Sequence, residues 1–249
     1  MCQGREKLSL RHGSGIKRQH LKHPFRRRID QYVEHSVLMM SSGLVDGMFV
    51  LDIGCGGAPY ADLFERFQYV GIDLAKREPR QDMWMTGDAC HLPFRSDIFG
   101  LVIASEILEH ISDPRTVLAE ICRVLEPQGH VLLTTRFVFP YHPEPGDYFR
   151  FTQDSLFQLF NDTGFNIQDL ENEGGILSLL ANIVSWYGQA SPRPMAEIAD
   201  LFAKSLDILD KRINGLGSEW SPGFHVHATK SFSTGHMKKL LQVARHYRQ

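Results

Sequence analysis

The chain has 249 residues, 43% hydrophobic and 22% charged, a globular composition that excludes a disordered, collagen-like or coiled-coil chain. No apolar stretch reaches the ~20 residues of a membrane-spanning helix, and no apolar segment follows the basic N-terminus as a secretory signal requires. The formal net charge is only −2, yet residues 1–28 hold nine Lys/Arg against Glu6 alone, leaving 18 Lys/Arg against 28 acids in the rest.

Residues 1–28 therefore read as a basic, flexible N-terminal arm, with 29–249 as a single domain. Such an arm is usually solvated; it can also meet a phosphate-rich partner or fold over a site. It lacks interleaved aromatics and an RNA-binding motif, so nucleic acid is an available but unfavoured partner. Cys2, Cys55, Cys90 and Cys122 form no CxxC pair. Neither a metal site nor a disulfide framework is expected, and a reducing cytoplasm is the expected location.

Residues 29–45 carry apolar side chains at helical spacing, with Gly43 as the expected C-cap. Phe49–Ile53 is a short buried strand running into the turn Gly54-Cys55-Gly56-Gly57, and Pro59 then opens a predicted helix over PYADLFERF. Tyr69–Asp73 is a second strand and Met83–Asp88 a weaker third. Phe99–Ser105 (FGLVIAS) is apolar throughout, as a central parallel strand is. A helix follows with Asp113 as N-cap, Pro114 in its first turn, and Val117, Leu118, Ile121, Val124 and Leu125 on one face; Pro127 and Gly129 stop it. Val131–Thr135 is strand five. Thr152 caps a helix bearing Leu156, Phe157, Leu159 and Phe160, and 165–171 is strand six. Residues 176–213 are helical with a break at Ser191–Pro194, Phe224–Thr229 is the last strand, and 234–248 is a basic surface helix.

Strands alternating with helices predict an α/β fold, a Rossmann-like, mostly parallel seven-stranded sheet with helices on both faces and a helical insertion (176–222) before the last strand. Such sheets bind ligands at the carboxyl ends of their strands. The glycine turn lies there, followed about 20 residues on by Asp73, an acid placed to accept both hydroxyls of a ribose. That pair alone does not separate a nicotinamide dinucleotide from another adenosine-containing cofactor. Pro59, however, occupies the slot where a pyrophosphate-binding turn keeps Gly or Ala.

The segments VLDIGCGGAPY (50–60), YVGIDLA (69–75), GDACHLPF (87–94), FGLVIASEILEHISD (99–113) and LAEICRVLEPQGHVLLTT (118–135) resemble, in order, those of class I S-adenosylmethionine-dependent methyltransferases. They are most similar to the small-molecule group that shares the LDIGCG turn and the LEH segment. The resemblance implies S-adenosyl-L-methionine as cofactor, S-adenosyl-L-homocysteine as product and methyl transfer to a small-molecule or glycan-type acceptor by in-line displacement. It implies that Asp52 and the Gly54-Cys55-Gly56 backbone hold the methionine moiety, that Asp73 binds the ribose, and that Asp88 with the Ala89 backbone binds the adenine amino group. Leu74 and Leu92 would wall the ring, and Ser105–Glu106 would lie beside the sulfonium.

For His110 three roles stay open: a base on a substrate hydroxyl, since histidine titrates near neutrality, a group that orients another, or a packed helix-start histidine. Residues 137–152 follow strand five and hang over the crevice as a predicted substrate loop. They offer Tyr141, His142, Asp147, Tyr148 and Arg150, with His142 as a second catalytic candidate. The loop resembles a histidine-then-DYWRFT loop of bacterial methyltransferases in the same group, with Phe149 in place of the tryptophan. Arg150 would grip an anionic group or brace the loop through Asp147. The insertion 176–222 would serve as lid or subunit contact, with a homodimer one outcome. The alternatives are an RNA or protein methyltransferase recruited through the arm, or a non-catalytic protein that only binds the cofactor.

Overall fold

The computed structural model describes residues 24–40, 44–74, 84–143, 145–213 and 215–231. The basic stretch before Pro24, the Gly43 cap and the helix expected at 234–248 lie outside these residues.

Seven strands form one sheet: β1 (Phe49–Ile53), β2 (Gln68–Asp73), β3 (Trp84–Thr86), β4 (Phe99–Ser105), β5 (Leu125–Arg136), β6 (Phe165–Asn172) and β7 (Gly223–Lys230), in the spatial order β3-β2-β1-β4-β5-β7-β6. The pairs from β3 to β5 are parallel, and β7 runs antiparallel to both β5 and β6. Among the described residues the α-helices are α1 (Pro24–Met40), α2 (Pro114–Val124), α3 (Gln153–Asp162), α4 (Ile176–Gln189) and α5 (Arg193–Arg212), with α4 and α5 packed on each other as the expected insertion.

The two-residue period of a strand decides which core each side chain enters. Leu51, Ile53, Val102, Ala104, Val131 and Leu133 join the α2 and α3 side chains on one face. Their neighbours Val50, Leu101, Ile103 and Leu132 meet Tyr32, Val33 and Val37 of α1 on the other. This is why β4 is apolar at every position: it is buried on both faces.

Both predicted caps form. Asp113 accepts from the Thr116 backbone, and Thr152 and Ser155 make a reciprocal capping box. Four expectations are corrected. α1 begins at Pro24, not Ile29, so the end of the basic block belongs to the folded body. Pro59 opens no α-helix: the chain makes only a 3-10 turn at Ala61–Phe64, with Tyr60, Ala61 and Phe64 buried against the α1 side chains. α2 gives way directly to β5 at Leu125, and Pro127–Gly129 sit in an irregular start of that strand, with Gln128 at φ 65°. Phe157 is 60% exposed rather than on the packed face of α3.

Candidate functional site

A cavity of about 640 Å³ opens at the carboxyl ends of β1, β2 and β4, within the size range of small-molecule sites. Its floor is the glycine turn. Gly54 and Gly56 adopt φ +70° and +52°, conformations costly for other residues. The Gly54 N–H donates to the Ile72 carbonyl at 2.8 Å, and the Gly56 N–H to Asp73 Oδ2 at 2.9 Å. A Cβ on Gly56 or Gly57 would meet nothing within 4 Å. The turn is therefore locked from below by β2 and left bare above, as close approach of a ligand requires.

Acids line this floor. Asp52, 1% exposed, accepts a 2.5 Å hydrogen bond from Tyr69. Burial pushes its carboxyl up to about 7, against the opposing pull of that hydrogen bond and of Arg26. Arg26, on α1, lines the same cavity. It lies 3.4 Å from Asp30 Oδ1 and donates to the Tyr60 hydroxyl at 3.4 Å. Tyr60 in turn donates to Asp30 at 3.2 Å.

On the β4 side, Glu106 adopts a left-handed φ of 58°, a strained conformation of the kind that clusters at functional sites. Its carboxylate accepts from Thr134 at 2.9 Å and pairs with Arg136. Arg136 is wholly buried and reaches Glu173 at 2.8 Å. Burial raises Glu173 to about 7, with Arg136 pulling the other way. The hydroxyls of Ser105 and Thr134 share a hydrogen bond at 3.1 Å, so the end of β4 is fixed by polar contacts.

Asp52, Gly54, Cys55, Gly56, Asp73, Leu74, Ala89, Ser105, Glu106 and His110 all line this single cavity. Asp88 does not, although its neighbours Gly87 and Ala89 do. Its carboxylate accepts the Cys90 N–H at 2.8 Å and so caps its own turn, which holds its carboxyl below the usual range. Leu92 is packed into the core and is no cavity wall.

The loop after β5 stands differently from expectation. Among its described residues only Pro145 lines the cavity, and Tyr141 and Tyr148 are 74% and 59% exposed. Arg150 holds both oxygens of Asp147 and donates to the carbonyls of Phe139, Pro140 and Phe149. A guanidinium has five N–H donors, and all five are spent inside the loop. Arg150 and Asp147 are therefore a brace, not a grip on an anionic group. The Arg150 guanidinium holds the Asp147 carboxyl well below the usual range. The loop is anchored by the Tyr148 N–H donating to the Glu109 carbonyl at 2.8 Å. His110 is bonded through Nδ1 to the Gly146 carbonyl, and its ring meets that of His142 edge-on with centroids 4.8 Å apart.

Arg26 and Tyr60 are cavity residues that sequence reasoning missed. Arg26 lies in a block read by composition as solvated. Pro24, well placed for the first turn of a helix, was the available signal.

Residues 51–133 match the family model described as "Methyltransferase domain". The chain is 32% identical over 114 residues to a ubiquinone biosynthesis O-methyltransferase of Vibrio cholerae, a match covering 40% of this chain and 46% of the relative. It is 28% identical over 106 residues to the uncharacterized protein MJ0638 of Methanocaldococcus jannaschii, covering 41% and 47%. The chain thus spans about half the length of the curated relatives it matches. Among solved structures, the [4+2]-cyclase SpnF superposes with a TM-score of 0.53 at 18% identity, over 82% of this chain and 83% of that one. Phosphoethanolamine N-methyltransferase 2 of Haemonchus contortus, in complex with S-adenosyl-L-methionine, gives 0.52 at 18% identity, over 80% and 52%. The fold is the class I methyltransferase fold, and the matched segment holds every cavity-lining residue except Arg26 and Pro145.

Proposed function

We propose that this chain, which carries a class I methyltransferase domain, transfers the methyl group of S-adenosyl-L-methionine to a small-molecule acceptor. The observation that carries the reading is the bare glycine turn flanked by Asp52 and Asp73 in one cavity. The donor set fits the cofactor. Asp52 suits an ammonium, and Asp73 a pair of ribose hydroxyls. Arg26 suits the methionine carboxylate, and the Gly87–Ala89 turn the adenine edge.

When bound, the cofactor supplies an activated methyl on sulfonium sulfur. The chain's residues bind, align and exclude water. Ser105 and Glu106 hold the wall beside the reacting centre, and the Glu106 carboxylate favours positive charge there. His110 faces the same space from the acceptor side. The relatives named as ubiquinone biosynthesis O-methyltransferases favour an oxygen acceptor on a small molecule. The outward apolar residues of α4 and α5, such as Ile183, Trp186, Ile198 and Phe202, suit a lid or a subunit contact.

Calorimetric titration with S-adenosyl-L-methionine, with NADH as control and Asp73→Ala alongside, tests the reading. The expected result is cofactor binding that the variant loses. Failure to bind, or a preference for NADH, refutes it. Because SpnF, which shares this fold, is named a cyclase, fold does not fix the reaction. Formation of S-adenosyl-L-homocysteine with phenolic acceptors tests transfer itself.

A further inference from the structure

We propose that Glu109, His110 and His142 form a binding site for a divalent transition-metal ion, best suited to zinc, on the acceptor side of the cavity. The sequence, lacking a CxxC pair, gives no reason to expect a metal; 32 residues separate His142 from His110, and only the folded loop brings them together. In the structure one carboxylate oxygen of Glu109 and one nitrogen from each histidine all lie within 4.8 Å of one another.

The second observation is independent of that clustering. Glu109 is fully buried, at 0% exposure. Its Oε2 accepts from the Thr135 hydroxyl at 2.9 Å, while Oε1 is buried with no hydrogen-bond partner. A buried carboxylate oxygen without a donor is costly and calls for an explanation. A metal ion bound to it supplies one.

The histidines are already held as ligands. Nδ1 of His110 is bonded to the Gly146 carbonyl, and Nδ1 of His142 to the Pro140 carbonyl at 2.9 Å. A carbonyl only accepts, so each neutral ring carries its proton on Nδ1 and keeps the Nε2 lone pair. This is the outer-shell pattern that orients metal-binding histidines. Two imidazoles and one carboxylate suit zinc and leave a fourth position open. His110 lines the cavity, so that position faces the ligand space. There the ion would orient an acceptor oxygen, a role that rests on the methyl-transfer reading, whereas the site itself does not.

Two features oppose binding. Arg136 and Arg150 both act electrostatically on Glu109, but Arg136 is paired with Glu106 and Glu173 and Arg150 with Asp147. A tetrahedral zinc ion with bonds of about 2.05 Å needs ligand atoms about 3.3 Å apart. The three ligand atoms, within 4.8 Å of one another, must therefore draw together by at most ~1.5 Å on binding.

The test is titration of the metal-stripped full chain with Zn²⁺ by calorimetry and with Co²⁺ by visible absorption, comparing His142→Ala, Glu109→Gln and His227→Ala. The last variant controls for the other histidine pair, His130 and His227, whose ring nitrogens lie 3.0 Å apart. The expected result is one equivalent bound, with affinity reduced in His142→Ala by more than the about 10–100-fold that loss of an outer-shell partner costs, and unchanged in His227→Ala. No uptake of either ion by the full chain, or uptake undiminished in His142→Ala, overturns the proposal. If Glu109→Gln fails to fold, His142→Ala decides alone, since His142 sits in a loop. Titrating the same samples with S-adenosyl-L-methionine separates the two readings: cofactor binding without metal uptake sinks this site and leaves the methyl-transfer reading standing.

Discussion

Gly54→Ala is the most informative single perturbation of the turn. Gly54 ends β1 at φ +70°, and a Cβ there would lie 2.2 Å from Ile107 Cγ2 but 3.6 Å from Ile107 Cβ. Two costs follow and they are separable. A left-handed alanine costs roughly 1–2 kcal/mol. Forcing a methyl against Ile107 costs about 1–3 kcal/mol as overpacking. Gly54→Ala should therefore destabilise the protein by roughly 2–5 kcal/mol and weaken the cofactor, because Ile107 also lines the cavity. Ile107→Ala removes Cγ2, leaving only the ordinary contact at 3.6 Å. In a double-mutant cycle it should recover about 1–3 kcal/mol and leave the backbone cost in place. Urea denaturation of the four proteins reads the cycle. A Gly54→Ala protein as stable as the parent, or a coupling of zero, would refute the turn geometry on which the site rests.

Three further outcomes are expected. Burial holds Asp52 near 7, and an ammonium needs the carboxylate. Affinity for S-adenosyl-L-methionine should be full above pH ~7 and fall by up to tenfold per pH unit below it, whereas the ligand-free fold loses this group's contribution as pH rises through the same range; a flat calorimetric profile between pH 6 and 8 removes Asp52 from the ammonium site. Arg136→Met leaves the buried Glu173 and the half-buried Glu106 without their cation, a loss of about 3–5 kcal/mol. The thermal midpoint should drop by roughly 6–20 °C, with part of the loss recovered in Arg136→Met/Glu173→Met. Arg26→Ala should weaken cofactor affinity by about 10–100-fold, as for a lost charged hydrogen bond, and also lower the thermal midpoint, because it strips the buried Asp30 of its cation; unchanged affinity would place the methionine carboxylate elsewhere.

What the sequence made legible follows from local physics. β4 is apolar along its length because both faces are covered, and the Asp113 and Thr152 caps are decided within four residues of chain. The glycine turn and Asp73 are equally local in kind, being strand ends whose chemistry a ligand dictates. Where reading failed, the deciding contact lay elsewhere. The expected helix at Pro59 is only a 3-10 turn, whose Tyr60, Ala61 and Phe64 are buried against the distant α1. Arg28 belongs to a run of basic residues that composition reads as solvated, yet it pairs with Asp207 and Asp210, some 180 residues away, and donates to the Glu173 carbonyl. Net charge over a window does not distinguish a wet arginine from one committed to a distant buried acid.

That pairing links the periphery to the site. From α5, Asp207 and Asp210 hold Arg28. Arg28 holds the Glu173 backbone, the Glu173 carboxylate holds Arg136, and Arg136 holds Glu106 at the cavity wall. Each buried charge is expensive, so replacing the series with apolar residues would serve stability at least as well. What an apolar replacement cannot do is set the field in the cavity. Lining it, the carboxylates of Asp52, Asp73 and Glu106 outnumber the guanidinium of Arg26. The upward shifts of Asp30, Asp52 and Glu173 show burial opposing their ionisation. A ligand with net positive charge relieves that cost, and the proposed cofactor, with its sulfonium and ammonium against one carboxylate, is such a ligand. The demethylated product has lost the sulfonium charge, so the same acids should hold it less tightly. Removing Glu106 should narrow that difference in affinity.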